Sequence, residues 1–78
     1  MPKLPRITVA KLLKVLLKAS FFVHHQTGSH INLRHPHKTY LHVVVPYHKR
    51  ELAPKTLQSI LSQAEITIEE FLRLLKKA

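Results

Sequence analysis

The chain has 78 residues, no cysteine, and thirteen Lys and Arg against four acids, for a net charge of +9. A chain this short is expected to form one small domain over residues 1–78 with a modest core, and without thiols it makes neither disulfides nor thiolate metal sites. There is no aspartate and every glutamate lies at or after Glu51, so the first two-thirds cannot supply the paired carboxylates of a Mg²⁺ or glycoside-cleaving site.

The opening MPKLPRI reads as a short leader. Thr8 is a suitable cap for a helix from about Val9 to Ala19, with Ile7 and Leu12 at the staple positions. Leu12, Leu13, Leu16 and Leu17 form a broad apolar face with Val9 and Val15 beside it. Lys11, Lys14 and Lys18 make a basic stripe, which suits either phosphate tracking or plain solvation. Lysine interrupts the apolar run VAKLLKVLLKASFFV too often for a membrane span, and no small-residue cleavage site follows it. Neither a spanning segment nor a signal peptide is expected, and the lack of cysteine fits a cytoplasmic protein.

FFVHHQ reads as a strand, and the turn TGS leads into HINLRH. That second strand alternates: Ile31 and Leu33 point one way, His30, Asn32 and Arg34 the other. HPHKT is a turn pivoting on Pro36, and YLHVVVP is a third strand that Pro46 ends. Short turns between three strands predict an antiparallel meander. After the basic loop YHKRELA, Pro54 opens a helix with Leu57, Ile60, Leu61 and Ala64 on one face. Thr67 and Glu70 form a capping box for a last helix, with Ile66 and Phe71 as its staple. Phe71, Leu72, Leu74 and Leu75 are its apolar positions, and Lys76 and Lys77 suit its C-terminus. The order α-β-β-β-α-α predicts an α+β fold in which helices cover one face of a three-stranded sheet.

The basic field attracts polyanions, meaning nucleic acid, an acidic protein or an anionic membrane. Seven histidines raise the question of a metal. His35 and His37 have H-x-H spacing in a turn, but His24 and His25 are adjacent, and adjacent residues on a regular strand point to opposite faces. No metal site and no cofactor are expected. His42, within an apolar strand, reads as a packed or cross-strand residue. His30 differs in context. It follows Gly28 and Ser29 at the start of a strand, where glycine permits a tight path or close ligand approach and the strand holds the imidazole firmly. Imidazole titrates near neutrality and moves protons in either direction.

Taken together, MPKLPRIT opening into a helix, then TGSH, then VVVPYHKRELAPKTLQSILSQAEIT resembles the HicA toxin family, from about Leu4 to Leu75. The resemblance implies a double-stranded-RNA-binding-domain-like fold and an mRNA interferase of a type II toxin–antitoxin system, a metal-independent endoribonuclease with a single essential histidine, that of the G-S-H motif, here His30. It also implies an mRNA substrate and a HicB-like antitoxin that covers the active face. Ser20 and Glu65 stand where the family often has helix-ending glycines, and His25 where it often has arginine, just before Gln26. The HPHK turn lacks the usual Asp-Gly pair.

The expected reaction is transesterification within RNA: the ribose 2′-OH loses a proton and attacks the adjacent phosphorus, and the 5′-oxygen leaves with a proton. His30 is the expected general base or acid, with the second proton carrier open among His25, His48 and Tyr47. Arg34, Lys38, Lys49 and Arg50 are the expected phosphate contacts. Two other readings stay open: a non-catalytic RNA-binding module of the same fold, and a basic amphipathic segment that binds membrane surfaces.

Overall fold

The computed structural model describes residues 4–78; the start of the expected leader, Met1 to Lys3, lies outside the described residues. Six elements follow in chain order: α1 (Val9–Lys18), β1 (Phe22–Thr27), β2 (His30–Arg34), β3 (His42–Pro46), α2 (Pro54–Ala64) and α3 (Ile68–Lys77). This is the predicted order, and the α+β layout is the double-stranded-RNA-binding-domain-like one that the resemblance implied.

Helix α1 starts where its cap predicts. The Thr8 hydroxyl accepts the Lys11 backbone N–H at 3.2 Å, satisfying a donor that the first turn leaves free. Ile7 and Leu12 are both buried, as a staple requires. The inward stripe is Val9, Leu12, Val15 and Leu16, narrower than the expected face and rotated from it. Leu13 is half-buried and Leu17 is 52% exposed, because Leu17 lies about 100° past Leu16 around the helix.

Helices α1 and α2 end in the same way. The Ser20 N–H donates to the Leu17 carbonyl and the Phe21 N–H to Leu16; the Glu65 N–H donates to Ser62 and the Ile66 N–H to Leu61. This is the Schellman pattern, which needs a left-handed residue just past the helix. Ser20 (φ 76°) and Glu65 (φ 55°) take that conformation without being glycine. Phe21 and Ile66, the residues after them, are buried in the same core as Leu16 and Leu61.

The sheet has the order β1-β2-β3, antiparallel throughout. Ile31, Leu33, Val43 and Val45 are buried and join one apolar cluster with α1, α2 and Phe71. Every fully buried Leu, Val or Phe contributes about 1.5–3 kcal/mol. Among the described residues no polar or charged side chain is buried. Helix α2 packs on β3 and α3 on α1. Pro54 opens α2, and Leu57, Ile60, Leu61 and Ala64 turn inward as their spacing predicts. The Thr67 hydroxyl caps α3 by accepting the Glu70 N–H at 3.1 Å, and Phe71 is fully buried. Among the described residues, only one face of the sheet is therefore covered, and its other face is open.

Candidate functional site

The turn between β1 and β2 consists of Gly28 and Ser29, because Thr27 and His30 are already paired. Gly28 has φ +54°, whereas Ser29 is not among the positive-φ residues. Positive φ at the first central position alone is the type II′ hairpin pattern, which demands glycine there. A Cβ built on Gly28 meets nothing within 4 Å, so the constraint is the backbone conformation and not space. His30 leaves this turn as the first residue of β2 and is exposed.

The open face can be read from the register. Residues directly opposite share a face, so Thr27, His30 and Pro46 form one row, His25, Asn32 and Val44 the next, and Phe22, Arg34 and His42 the last. No carboxylate lies in these rows. His42 Nε2 donates to Asn32 Oδ1 at 2.9 Å, fixing both side chains across β2 and β3. His42 is thus the cross-strand residue that its position suggested, although it is exposed and not packed.

Strand β1 is irregular. Val23 faces Leu33 and His25 faces Asn32, so His24 is an extra residue in a bulge. The expected alternation of His24 and His25 onto opposite faces does not apply here, since it assumed a regular strand. The Thr27 hydroxyl lies 2.6 Å from His25 Nε2. Among the described residues, no three His, Asp or Glu side chains are grouped so as to hold a metal ion.

The remaining expected residues divide between the two ends of the sheet. The Tyr47 N–H donates to the Ser29 carbonyl at 2.6 Å, extending the ladder one pair beyond His30 and Pro46. The segment Tyr47, His48, Lys49, Arg50 therefore starts beside the Gly28–Ser29 turn. Leu52 donates to the Ile7 carbonyl and Glu51 bridges Thr8, which brings the start of α1 to the same end. Exposed Arg6, Lys49, Arg50 and Lys55 make this end basic, with Glu51 as its carboxylate. The N-termini of α1 and α2, which carry positive partial charge, also lie here.

Arg34 shares the face of His30 but sits four residues along β2, about 13 Å away. Lys38 is farther still, in the turn between β2 and β3. A cleft of about 140 Å³ at that end is lined by Phe21, His35, Lys38, Glu65 and Glu70, and His30 takes no part in it. The lysine stripe of α1 points away from the buried stripe of that helix, into the layer opposite the open sheet face. Of its members only Lys11, in the first turn, approaches the His30 end; Lys18 is about 10 Å farther along the axis.

The far turn shows how a chain without aspartate closes a tight bend. His35 Nδ1 accepts the backbone N–H groups of His37 and Lys38 at 3.1 and 3.0 Å, the role an aspartate carboxylate often fills. The His35 ring packs edge-on against Phe21 at 5.2 Å. Nearby, Tyr40 donates to Glu65 Oε1 at 3.0 Å, and that bond to a carboxylate raises the phenol above its ordinary value of 10.0.

Among the described residues, no helix is long and apolar enough to cross a membrane. The sequence matches the family model described as HicA toxin of bacterial toxin-antitoxin over residues 9–66. No curated protein matches the chain. The matched stretch runs from the first residue of α1 to the residue after the α2 cap, and includes the hairpin, the open sheet face and the basic segment. Helix α3 lies beyond it. With about three-quarters of its length inside the match, the chain belongs to the HicA family, the toxins of bacterial toxin–antitoxin systems.

Proposed function

We propose that this toxin is an endoribonuclease that cleaves mRNA by internal transesterification, with His30 as a catalytic base or acid. The observation that carries the reading is the placement of His30. Its imidazole leaves a glycine-specific turn onto a rigid strand, exposed on the open sheet face at the basic end of the molecule.

In this reaction the 2′-oxygen of a ribose bonds to the adjacent phosphorus as its proton is removed. The P–O5′ bond breaks and the 5′-oxygen takes a proton, leaving a 2′,3′-cyclic phosphate and a 5′-hydroxyl. No carboxylate on the open face competes for the phosphate. Lys49 and Arg50, in the basic segment that starts beside the turn, would stabilise charge that gathers on the phosphorane oxygens. A positioned proton carrier is worth roughly 10²–10⁴-fold in rate. Family membership supports a cognate antitoxin as partner; a HicB-like protein covering the open face would block His30 and the basic segment together.

The test uses RNA with a 2′-deoxyribose at the cleaved position. Ordinary RNA is cut and the substituted RNA is not. Equal cleavage of the two would rule out the route. Binding of RNA without any cleavage would favour a non-catalytic module.

A further inference from the structure

The bulge at His24 has a consequence for chemistry. Phe22 shares the open face with Arg34, so a regular strand would send His25 and Thr27 toward the helices. The one extra residue reverses this. His25 then lies opposite Asn32, and Thr27 opposite His30, on the open face. His25 and His30 are diagonal neighbours, a separation of about 7–8 Å in an antiparallel pair. That spacing leaves room for a phosphate group with one imidazole on either side.

Thr27 links the two positions. It is the direct cross-strand partner of His30, and its hydroxyl sits 2.6 Å from His25 Nε2. The contact occupies one ring nitrogen of His25 and sets the ring orientation, so Nδ1 is the nitrogen left to exchange a proton with substrate. The charged and titratable groups around His25 are His24 on β1, His30 and Arg34 on β2, and His42 on β3. None of them is a carboxylate. The other candidates are less well placed. Tyr47 lies past Pro46, the last residue of β3, and is not in the paired rows that hold His25 and His30. His48 lies beyond the end of β3, outside the sheet.

We propose that His25 is the second proton carrier of the cleavage reaction and that Thr27 is the residue that positions it. The inference rests on the nuclease reading above. One imidazole takes the 2′-OH proton as the 2′-oxygen bonds to phosphorus. The other gives a proton to the 5′-oxygen as the P–O5′ bond breaks. Both protons are accounted for, and the two rings return to their starting forms by exchange with water.

The experiment measures kcat/KM against pH on a short RNA for the full chain and for His30→Ala, His25→Ala, Thr27→Val and Thr27→Ser. Two carriers give the unsubstituted chain a bell-shaped profile. His25→Ala loses one limb of the bell and falls by about 10²-fold or more, with RNA affinity retained. Thr27→Val lowers kcat at unchanged KM and keeps the bell, and Thr27→Ser restores the rate. If His25→Ala keeps both limbs at the unsubstituted rate while His30→Ala is inactive, the inference fails and the nuclease reading stands. If the unsubstituted chain leaves RNA intact, both fall.

Discussion

The backbone N–H of Tyr47 donates to the carbonyl of Ser29 at 2.6 Å, which ties the basic segment after β3 to the turn that delivers His30. Two stretches distant in sequence thus meet at one end of the sheet. A glycine, a serine carbonyl and a proline-terminated strand suffice to build that junction.

The turn itself is the first place to test the arrangement. Gly28→Ala is expected to destabilise the chain by about 1–3 kcal/mol, since a left-handed residue with a side chain is strained even where the side chain has space. Thermal unfolding would show a fall of about 4–8 °C per kcal/mol. Cleavage of RNA should fall as well, because His30 leaves the same turn. An unchanged melting temperature would mean that the turn does not need its positive φ.

The placement of the cations predicts which of them serve RNA and which do not. Replacing Lys49 and Arg50 together by alanine should weaken RNA binding and make affinity less sensitive to salt. The slope of log affinity against log salt should fall by about 0.7 for each phosphate that is no longer neutralised. Replacing Lys18 and Lys38 should leave both quantities nearly unchanged, because these residues lie at the far end of the molecule. Binding titrations at several salt concentrations measure this. Equal effects from the two pairs would show that net charge, not position, governs binding.

Ser20 holds a left-handed conformation at φ 76° that favours glycine. Ser20→Gly removes a strain of about 1 kcal/mol. It should raise the melting temperature by about 4–8 °C in a domain of this size. A lower melting temperature would indicate that the Ser20 side chain contributes more than its backbone strain removes.

Helix α3 lies outside the family match, yet its Phe71 is fully buried in the shared core. Phe71→Ala should destabilise the chain by about 3–5 kcal/mol. A domain of this size has roughly 4–12 kcal/mol in total, so urea unfolding would move far toward lower denaturant. A small shift would show that the chain folds without α3.

Most of the architecture is legible in the sequence because its signals are local. Thr8, Pro54 and Thr67 mark helix starts by satisfying or lacking a particular N–H, and Ile31 with Leu33 marks the inner face of a strand by alternation. Ser20 and Glu65, which stand where the family often has glycine, are the two non-glycine residues with positive φ among the described residues. The His24 bulge is not legible, since register is set by pairing across strands and not by the strand's own residues. That one residue decides which face His25 occupies. The separation of Lys38 from His30 likewise needs the hairpin topology, because both flank the same strand in sequence. The cap made by His35 escapes a sequence reading because an imidazole seldom serves as the acceptor that closes a turn.

The most direct measurement incubates the chain and its His30→Ala variant with RNA in the presence of EDTA, following cleavage and binding in the same samples. The account predicts that the unsubstituted chain cuts RNA, that His30→Ala is slower by about 10²-fold or more, and that the two bind RNA alike. Cleavage by His30→Ala at the unsubstituted rate would contradict it.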